Sequence, residues 1–417
     1  MQMYKNRSKL LFAGIVGNLL EWFDFAIYGF FALTIGKVFF PKEDPVAQVI
    51  AAFGVFAIGF LMRPIGGLLL GYIGDKYGRQ KAMLISVAAM AIPTFFVGIL
   101  PGYETLGLAA PILLLLLRMI QGLSVGGEYT TSIVYMLEHT EPRRRGFVGA
   151  FAVSGAVGGI LLGSAFGAFL ASTLSPEALQ EWGWRVPFLM GLILGLAGLY
   201  LRREPTAQGA PVVRSSNPLS DSLRFHRRVM LQISGLTMMN AVAFYMIFVY
   251  LVSWLETVDG IAPENALQIN TISLLILIPI MIFSGWLSDR IGCKRILVAA
   301  TCIISLLAWP LFTLLHNPDV AMIYIGELGF AVIIGFYLGA QPAFIVKVIP
   351  SAVRCTAAGL GYNVTLGIVG GLTPMVATWL VSRTHDDLSP AYMIIFAGLC
   401  SLVALMTMHE KPEQLAS

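Results

Sequence analysis

Long runs of predominantly apolar residues constrain this chain more than anything else in it. Val46–Ile73, Leu108–Leu137 and Met322–Phe344 are three of them. Each holds roughly 20 residues or more, enough for an α-helix to cross a hydrocarbon core of about 30 Å. Inside lipid every backbone N–H and C=O needs a partner within the protein, which leaves helices or a closed barrel. A barrel reads as alternating segments of about ten residues, and no such alternation is present. Of 417 residues, 57% are hydrophobic and 12% charged, against about 25% charged in a soluble domain. The expected fold class is an all-α membrane protein.

Twelve spans are predicted, with rough cores at 11–38, 46–73, 82–101, 108–137, 147–172, 185–201, 229–256, 266–288, 296–315, 320–346, 357–382 and 391–408. The first follows a short polar N-terminus without a small-residue cleavage site, so it reads as a retained helix and not a signal peptide. Lys and Arg placement orients the set. Of 27 such residues, Arg63 and Arg118 lie within spans, and Lys37, Lys42, Arg185 and Arg383 fall on one side. The remainder sit on the other side with both termini, and the positive-inside rule makes that side cytoplasmic. The net charge of +4 is then a topology signal beside an anionic leaflet, not a nucleic-acid surface.

The two halves repeat. Gly71-Tyr-Ile-Gly-Asp75-Lys76-Tyr-Gly78-Arg79-Gln80-Lys81 follows the second span, and Gly285-Trp-Leu-Ser-Asp289-Arg290-Ile-Gly292-Cys293-Lys294-Arg295 follows the eighth. Spans five and eleven are both glycine-rich and both entered just after an arginine, Arg145 and Arg354. Repetition of a six-helix unit is a strong architectural signal. The expected division is 1–201 and 229–417, joined by a Pro- and Ser-containing cytoplasmic linker at 202–228. In each loop the aspartate is placed to accept from the N-terminal backbone donors of a neighbouring helix. Asp75, Arg79, Asp289 and Arg290 are therefore candidate gating residues.

These residues resemble the major facilitator superfamily over nearly the whole chain. More narrowly, GNLLEWFDFAIYGF (17–30), GFLMRPIGG (59–67), GDKYGRQK (74–81), RMIQGLSVGGEY (118–129) and EWGWRVPF (181–188) resemble its metabolite:proton symporter family. Their wording is nearest to the proline/betaine type. The resemblance implies two pseudo-symmetric six-helix bundles, a monomer in a bacterial inner membrane, and no cofactor beyond the proton gradient. It implies uptake of a small carboxylate or zwitterion, an organic acid or a proline- or betaine-like osmolyte. The charged coiled-coil extension of osmosensing members is not expected, because the chain stops at Ser417. Glu327 stands inside span ten, where that type would carry an apolar residue.

Five charges of the first half lie within spans: Glu21, Asp24, Arg63, Arg118 and Glu128. Each ionised group at mid-bilayer costs roughly 2.5–3.5 kcal/mol on insertion scales. Glu21, Asp24 and Arg63 fall near mid-depth, and Glu128 lies about 15 Å from Arg118 toward the cytoplasm. Arginine stays charged in proteins, so the acids are the groups able to change protonation. Three acids against two fixed cations leave one carboxylate without a permanent partner, which suits a proton-coupled carrier. Asp24 and Glu128 are the leading proton-site candidates, with Glu21 behind them. Arg63 and Arg118 are candidates for holding a substrate carboxylate, since guanidinium presents a planar fork to it. The Arg-x-x-Gln-Gly form at 118–122 resembles a superfamily motif associated with proton coupling.

The second half offers neutral groups to orient cargo: Asn240, Tyr245 and Tyr250 in span seven, Tyr337 and Gln341 in span ten, Tyr362, Asn363 and Thr365 in span eleven. Tyr28, Trp22 and the span-seven tyrosines could face a quaternary ammonium through their rings. Gly155, Gly159, Gly163 and Gly167 form one helix stripe for close backbone approach. The four cysteines are scattered without pairing or metal spacing, no phosphate-binding loop is present, and no nucleophile set forms. An enzyme is not expected. A proton-independent uniporter or exporter, or a ligand sensor on the same scaffold, remains an open alternative to symport.

Overall fold

The computed structural model describes residues 19, 21–42, 44–77, 79–125, 133, 136–137, 140–201, 227–349 and 354–408. Glu128 and most of the linker lie outside the described residues, as do the side chains of Asp75 and Arg79. The described chain is helical. Its main helices are α1 (Glu21–Phe30), α2 (Ala32–Phe39), α3 (Pro45–Leu61), α4 (Arg63–Tyr77), α5 (Arg79–Ile99), α6 (Ala109–Val125), α7 (Arg145–Thr173) and α8 (Arg185–Leu201). The second half supplies α9 (Arg227–Met239), α10 (Leu251–Thr257), α11 (Pro263–Ile291), α12 (Cys293–Leu315), α13 (Val320–Val348), α14 (Arg354–Thr365), α15 (Gly371–Thr384) and α16 (Ser389–Thr407). Among the described residues, eight helical stretches are long and apolar enough to cross a membrane, or nine if the bent pair α1–α2 is one span. The protein is thus a multi-pass α-helical membrane protein.

Several helices depart from straight spans. α1 and α2 meet at 68° across Phe31. α2 then packs on α3, where Gly36 lies against the Gln48 backbone and the Gln48 amide donates to the carbonyls of Phe40 and Pro41. α3 begins on a strong start signal: Asp44 accepts from the N–H of Val46 and Ala47, and Pro45 occupies the first turn. α3 breaks at Met62, just before Arg63-Pro64, because Pro64 removes a helical donor. Between α9 and α10 the chain winds through two π turns, Asn240–Phe244 and Met246–Tyr250; a third, Leu366–Gly370, separates α14 from α15.

The halves meet along two seams. α7 runs antiparallel to α11, and α3–α4 packs on α14–α15. At the end carrying Arg145, Arg290, Lys294 and Lys347, here the basic end, a Cβ on Gly146 would lie 2.2 Å from the Gly285 carbonyl oxygen. At the opposite end, Ser164 of α7 bonds the Leu267 carbonyl and Thr271 of α11 at 3.2 and 2.8 Å. On the second seam Gly371 abuts Phe60, and Gly54 faces Met375.

Candidate functional site

Asp24 of α1 is the centre of a buried hydrogen-bond cluster. Its Oδ2 accepts from Arg118 Nη1 and from Gln121 Nε2, both at 3.0 Å, and its Oδ1 lies 2.7 Å from Thr94 Oγ1. Arg118 Nη1 also donates to Gln121 Oε1 at 2.9 Å. Asp24, Thr94, Arg118 and Gln121 are all at most 3% exposed. Close helix approach makes the cluster possible: a Cβ on Gly122 would sit 1.9 Å from the Gly59 carbonyl oxygen, and one on Gly66 would sit 1.9 Å from that of Leu123. The small residues of GFLMRPIGG and RMIQGLSVGGEY thus bring α3, α4 and α6 together and set Arg118 against α1.

The cluster accommodates two protonation states without moving a heavy atom. Thr94 Oγ1 accepts from Gln121 Nε2 at 2.8 Å and has two acceptors within 2.7 Å, Asp24 Oδ1 and the Met90 carbonyl oxygen. A hydroxyl donates one proton. With Asp24 ionised, Thr94 donates to it; with Asp24 protonated, Asp24 donates to Thr94, and Thr94 turns to Met90. The remaining Arg118 nitrogens, Nε and Nη2, have no hydrogen-bond partner. Its guanidinium instead lies 3.8 Å from the centroid of the Tyr28 ring. The Tyr28 hydroxyl donates to the Ala52 carbonyl at 3.0 Å. Tyr28 is therefore committed to Arg118 in this arrangement.

A second polar group lies between the halves. Arg63, 1% exposed, faces Glu21 at 3.7 Å and is stacked on Trp22 and Phe60 at 5.4 and 5.2 Å from their centroids. The Phe60 ring lies 5.2 Å from that of Tyr245, which comes from the π-wound stretch after α9. Tyr245 is in electrostatic contact with Arg63, Glu21 and Tyr362. The Tyr362 hydroxyl accepts from Asn240 Nδ2 at 3.3 Å, and that same amide donates to Gln341 at 3.1 Å. Asn363, next to Tyr362, is also buried. Arg63 Nε and Nη2, the Tyr245 hydroxyl and Gln341 Nε2 have no hydrogen-bond partner. Buried donors of this kind are ordinarily satisfied by ordered water or by a ligand.

At the basic end, Asp289 accepts from the backbone N–H of Gly146 and Phe147 at 2.7 and 2.9 Å. It caps α7 from the other half of the chain, as the loop spacing predicts. Gly292 ends α11 at φ 96°, a conformation only glycine takes cheaply. Arg290 stacks on Trp286, 3.9 Å from the ring centroid. The structure thus gathers Asp24 with Arg118, Glu21 with Arg63, and Asn240 with Gln341, and puts Asp289 at a separate contact. Thr94 was not anticipated. A neutral hydroxyl beside Pro93 carries little sequence signal, and only its position facing Asp24 gives it meaning.

The Major Facilitator Superfamily profile matches residues 14–374. The chain belongs to the Major Facilitator Superfamily. A proline/betaine transporter of Salmonella typhimurium is 36% identical over 420 aligned residues, covering 96% of this chain and 83% of that one. A glycine betaine/proline/ectoine/pipecolic acid transporter of Dickeya dadantii is also 36% identical, with the same coverage. A putative proline/betaine transporter of Staphylococcus aureus is 35% identical and is covered to 89%. Among solved structures, a D-xylose–proton symporter superposes with a TM-score of 0.76 at 18% identity, covering 95% of this chain and 96% of that one. A partially occluded, inward-open form of the Escherichia coli xylose transporter gives 0.73 at 17%, covering 95% and 96%. These likenesses establish the facilitator fold. The chain is a secondary active transporter of this superfamily, not an enzyme.

Proposed function

We propose that this facilitator imports a small zwitterion of the proline or betaine kind together with protons, by alternating access between two six-helix bundles. The observation that carries the reading is the set of buried donors without a hydrogen-bond partner on Arg63, Tyr245 and Gln341, beside the rings of Trp22 and Phe60. Arg63 and Gln341 would hold the carboxylate, and the Tyr245 ring, on which no guanidinium stacks among the described residues, would take the ammonium end. Relatives named for proline and betaine support that choice.

The architecture follows from pairing each span with the one six places on. The α7–α11 seam joins spans five and eight, and the α3–α15 seam joins two and eleven, the same contact after exchanging halves. Residues 1–201 and 229–417 are the two bundles, with the basic end in the cytoplasm. Among the described residues, the α7–α11 seam is closed at both of its ends. Asp289, with Arg290, Asp75 and Arg79, forms the cytoplasmic latch, and its release from Gly146 opens that side.

Asp24 is the proton switch, with Glu128 and Glu21 as further carboxylates on the path. Protonation of Asp24 removes the charge that holds Arg118, while Thr94 keeps the cluster hydrogen-bonded in either state. Uptake into proteoliposomes of organic acids, amino acids and betaines, with and without an inward proton gradient, tests the reading. Gradient-dependent accumulation of proline or glycine betaine is expected. Flux of these compounds indifferent to the gradient would show a uniporter, and binding without flux would show a sensor.

A further inference from the structure

The second half holds a buried carboxyl that the central site does not use. Glu327 lies on α13, about two turns from the end opposite the basic loops, and is fully buried. Neither of its oxygens has a hydrogen-bond partner. The polar side chain that reaches it is the buried Ser273 hydroxyl of α11, close enough to act on the carboxyl but not in good hydrogen-bond geometry with it. From α12, Leu311 and Leu315 pack against Gly326 beside it. Tyr324, three positions earlier on α13, is the titratable side chain in electrostatic contact with it. Among the described residues, the ion pairs join Lys42 to Glu104, Arg63 to Glu21, Arg118 to Asp24, Arg144 to Glu141 and His316 to Asp259, and none reaches Glu327.

An ionised carboxylate in such surroundings costs several kcal/mol, and binding a proton removes most of that cost. Packing alone would favour an apolar side chain here. The position of Glu327 also ties it to the outer seam. Ser273 stands three residues, hence about one helical turn, from Asn270. The Asn270 amide donates to Ser164 of α7 at 3.2 Å, within the contacts that close the halves at that end. One turn of α11 therefore carries both a closing contact and the polar neighbour of Glu327. α11 and α13 both pack on α7, so parting the halves at this end opens a path for outside water toward Glu327.

We propose that Glu327 is a second proton-binding site, loaded from the outer side, whose proton permits the α7–α11 seam to close there. The inference rests on the alternating-access reading but not on Asp24. The proton enters from outer water, forms the carboxylic O–H, and returns to outer water when the seam reopens. Glu327 thus conditions closure and is not one of the protons carried inward.

Spin labels on Ser172→Cys and Asn265→Cys, both exposed at that end of α7 and α11, report the seam in lipid nanodiscs, with the four native cysteines replaced by serine. With Glu327 present, raising the pH from about 6 to about 9 should increase the long-distance population severalfold. Glu327→Gln, which mimics the protonated form, should keep the short distance at every pH. Asp24→Asn should leave the Glu327 response in place, so the two proton sites are read separately. A second measurement needs no substitution at Glu327: dicyclohexylcarbodiimide, which reacts with protonated carboxyls in apolar surroundings, should label Glu327 less as pH rises. A pH response that persists in Glu327→Gln, labelling independent of pH, or protection by sodium ions at fixed pH would each overturn the proposal.

Discussion

Thr94 has one proton to give and two acceptors within reach, and that simple count makes Asp24 able to change state inside a closed cluster. Thr94→Val keeps the shape and removes the hydroxyl. Proton-driven accumulation should fall at least about tenfold, because Asp24 loses the partner that follows its protonation. Thr94→Ser should retain most of the accumulation. Uptake with an imposed pH gradient compares the two. Tyr245 makes the opposite case. Its hydroxyl makes no hydrogen bond within the protein, so Tyr245→Phe removes a desolvation cost of about 1 kcal/mol. Thermal stability should hold or rise while the KM for the zwitterion increases severalfold. A fall in stability with unchanged KM would show that the hydroxyl serves packing. The charges were legible in the sequence because charge in an apolar span is conspicuous. Thr94 was not, because a threonine can satisfy itself on its own helix and its second contact is a tertiary fact.

At the scale of elements, the glycines sort by what they touch. A Cβ on Gly159 would sit 2.2 Å from the Leu19 carbonyl oxygen, whereas one on Gly158 meets nothing within 4 Å. Gly159→Ala should cost about 1–3 kcal/mol, and Gly158→Ala should stabilise by about 0.5–1 kcal/mol. Melting temperatures of the purified variants check the contrast. The stripe of Gly155, Gly159, Gly163 and Gly167 was visible from spacing alone. Its partner was not: Gly159 and Gly163 pack on the first-span helix of their own half, while Gly167 meets Leu267 of α11. The π turns at Asn240–Phe244 and Leu366–Gly370 were also hidden, since no breaker marks the first. They bring Tyr245 and Gly370 into contact, where an extra residue per turn re-aims side chains. The Asp289 cap was anticipated in kind. Asp289→Asn should weaken a charge-assisted cap by about 1 kcal/mol and loosen the basic end. Maleimide labelling of Ala150→Cys, buried beside Gly285, should then rise severalfold. Unchanged labelling would mean the latch is held elsewhere.

For the whole molecule, the fold was largely legible because lipid permits few solutions and the loop signature occurs twice. What one chain of residues could not reveal is how the halves meet. The structure is shut at both ends of the α7–α11 seam, with Gly146 on Gly285 at one end and Ser164 on Leu267 at the other. Asp24 and Arg63 are themselves buried, the condition under which a change of protonation can be stored and carried across. The central claim is that the proton on Asp24 couples the gradient to transport. The direct test compares two modes in one Asp24→Asn preparation: counterflow of glycine betaine with equal pH on both sides, and accumulation under an inward proton gradient. Counterflow should persist while accumulation falls to the equilibrium level. Accumulation equal to that of the unmodified protein would contradict the account.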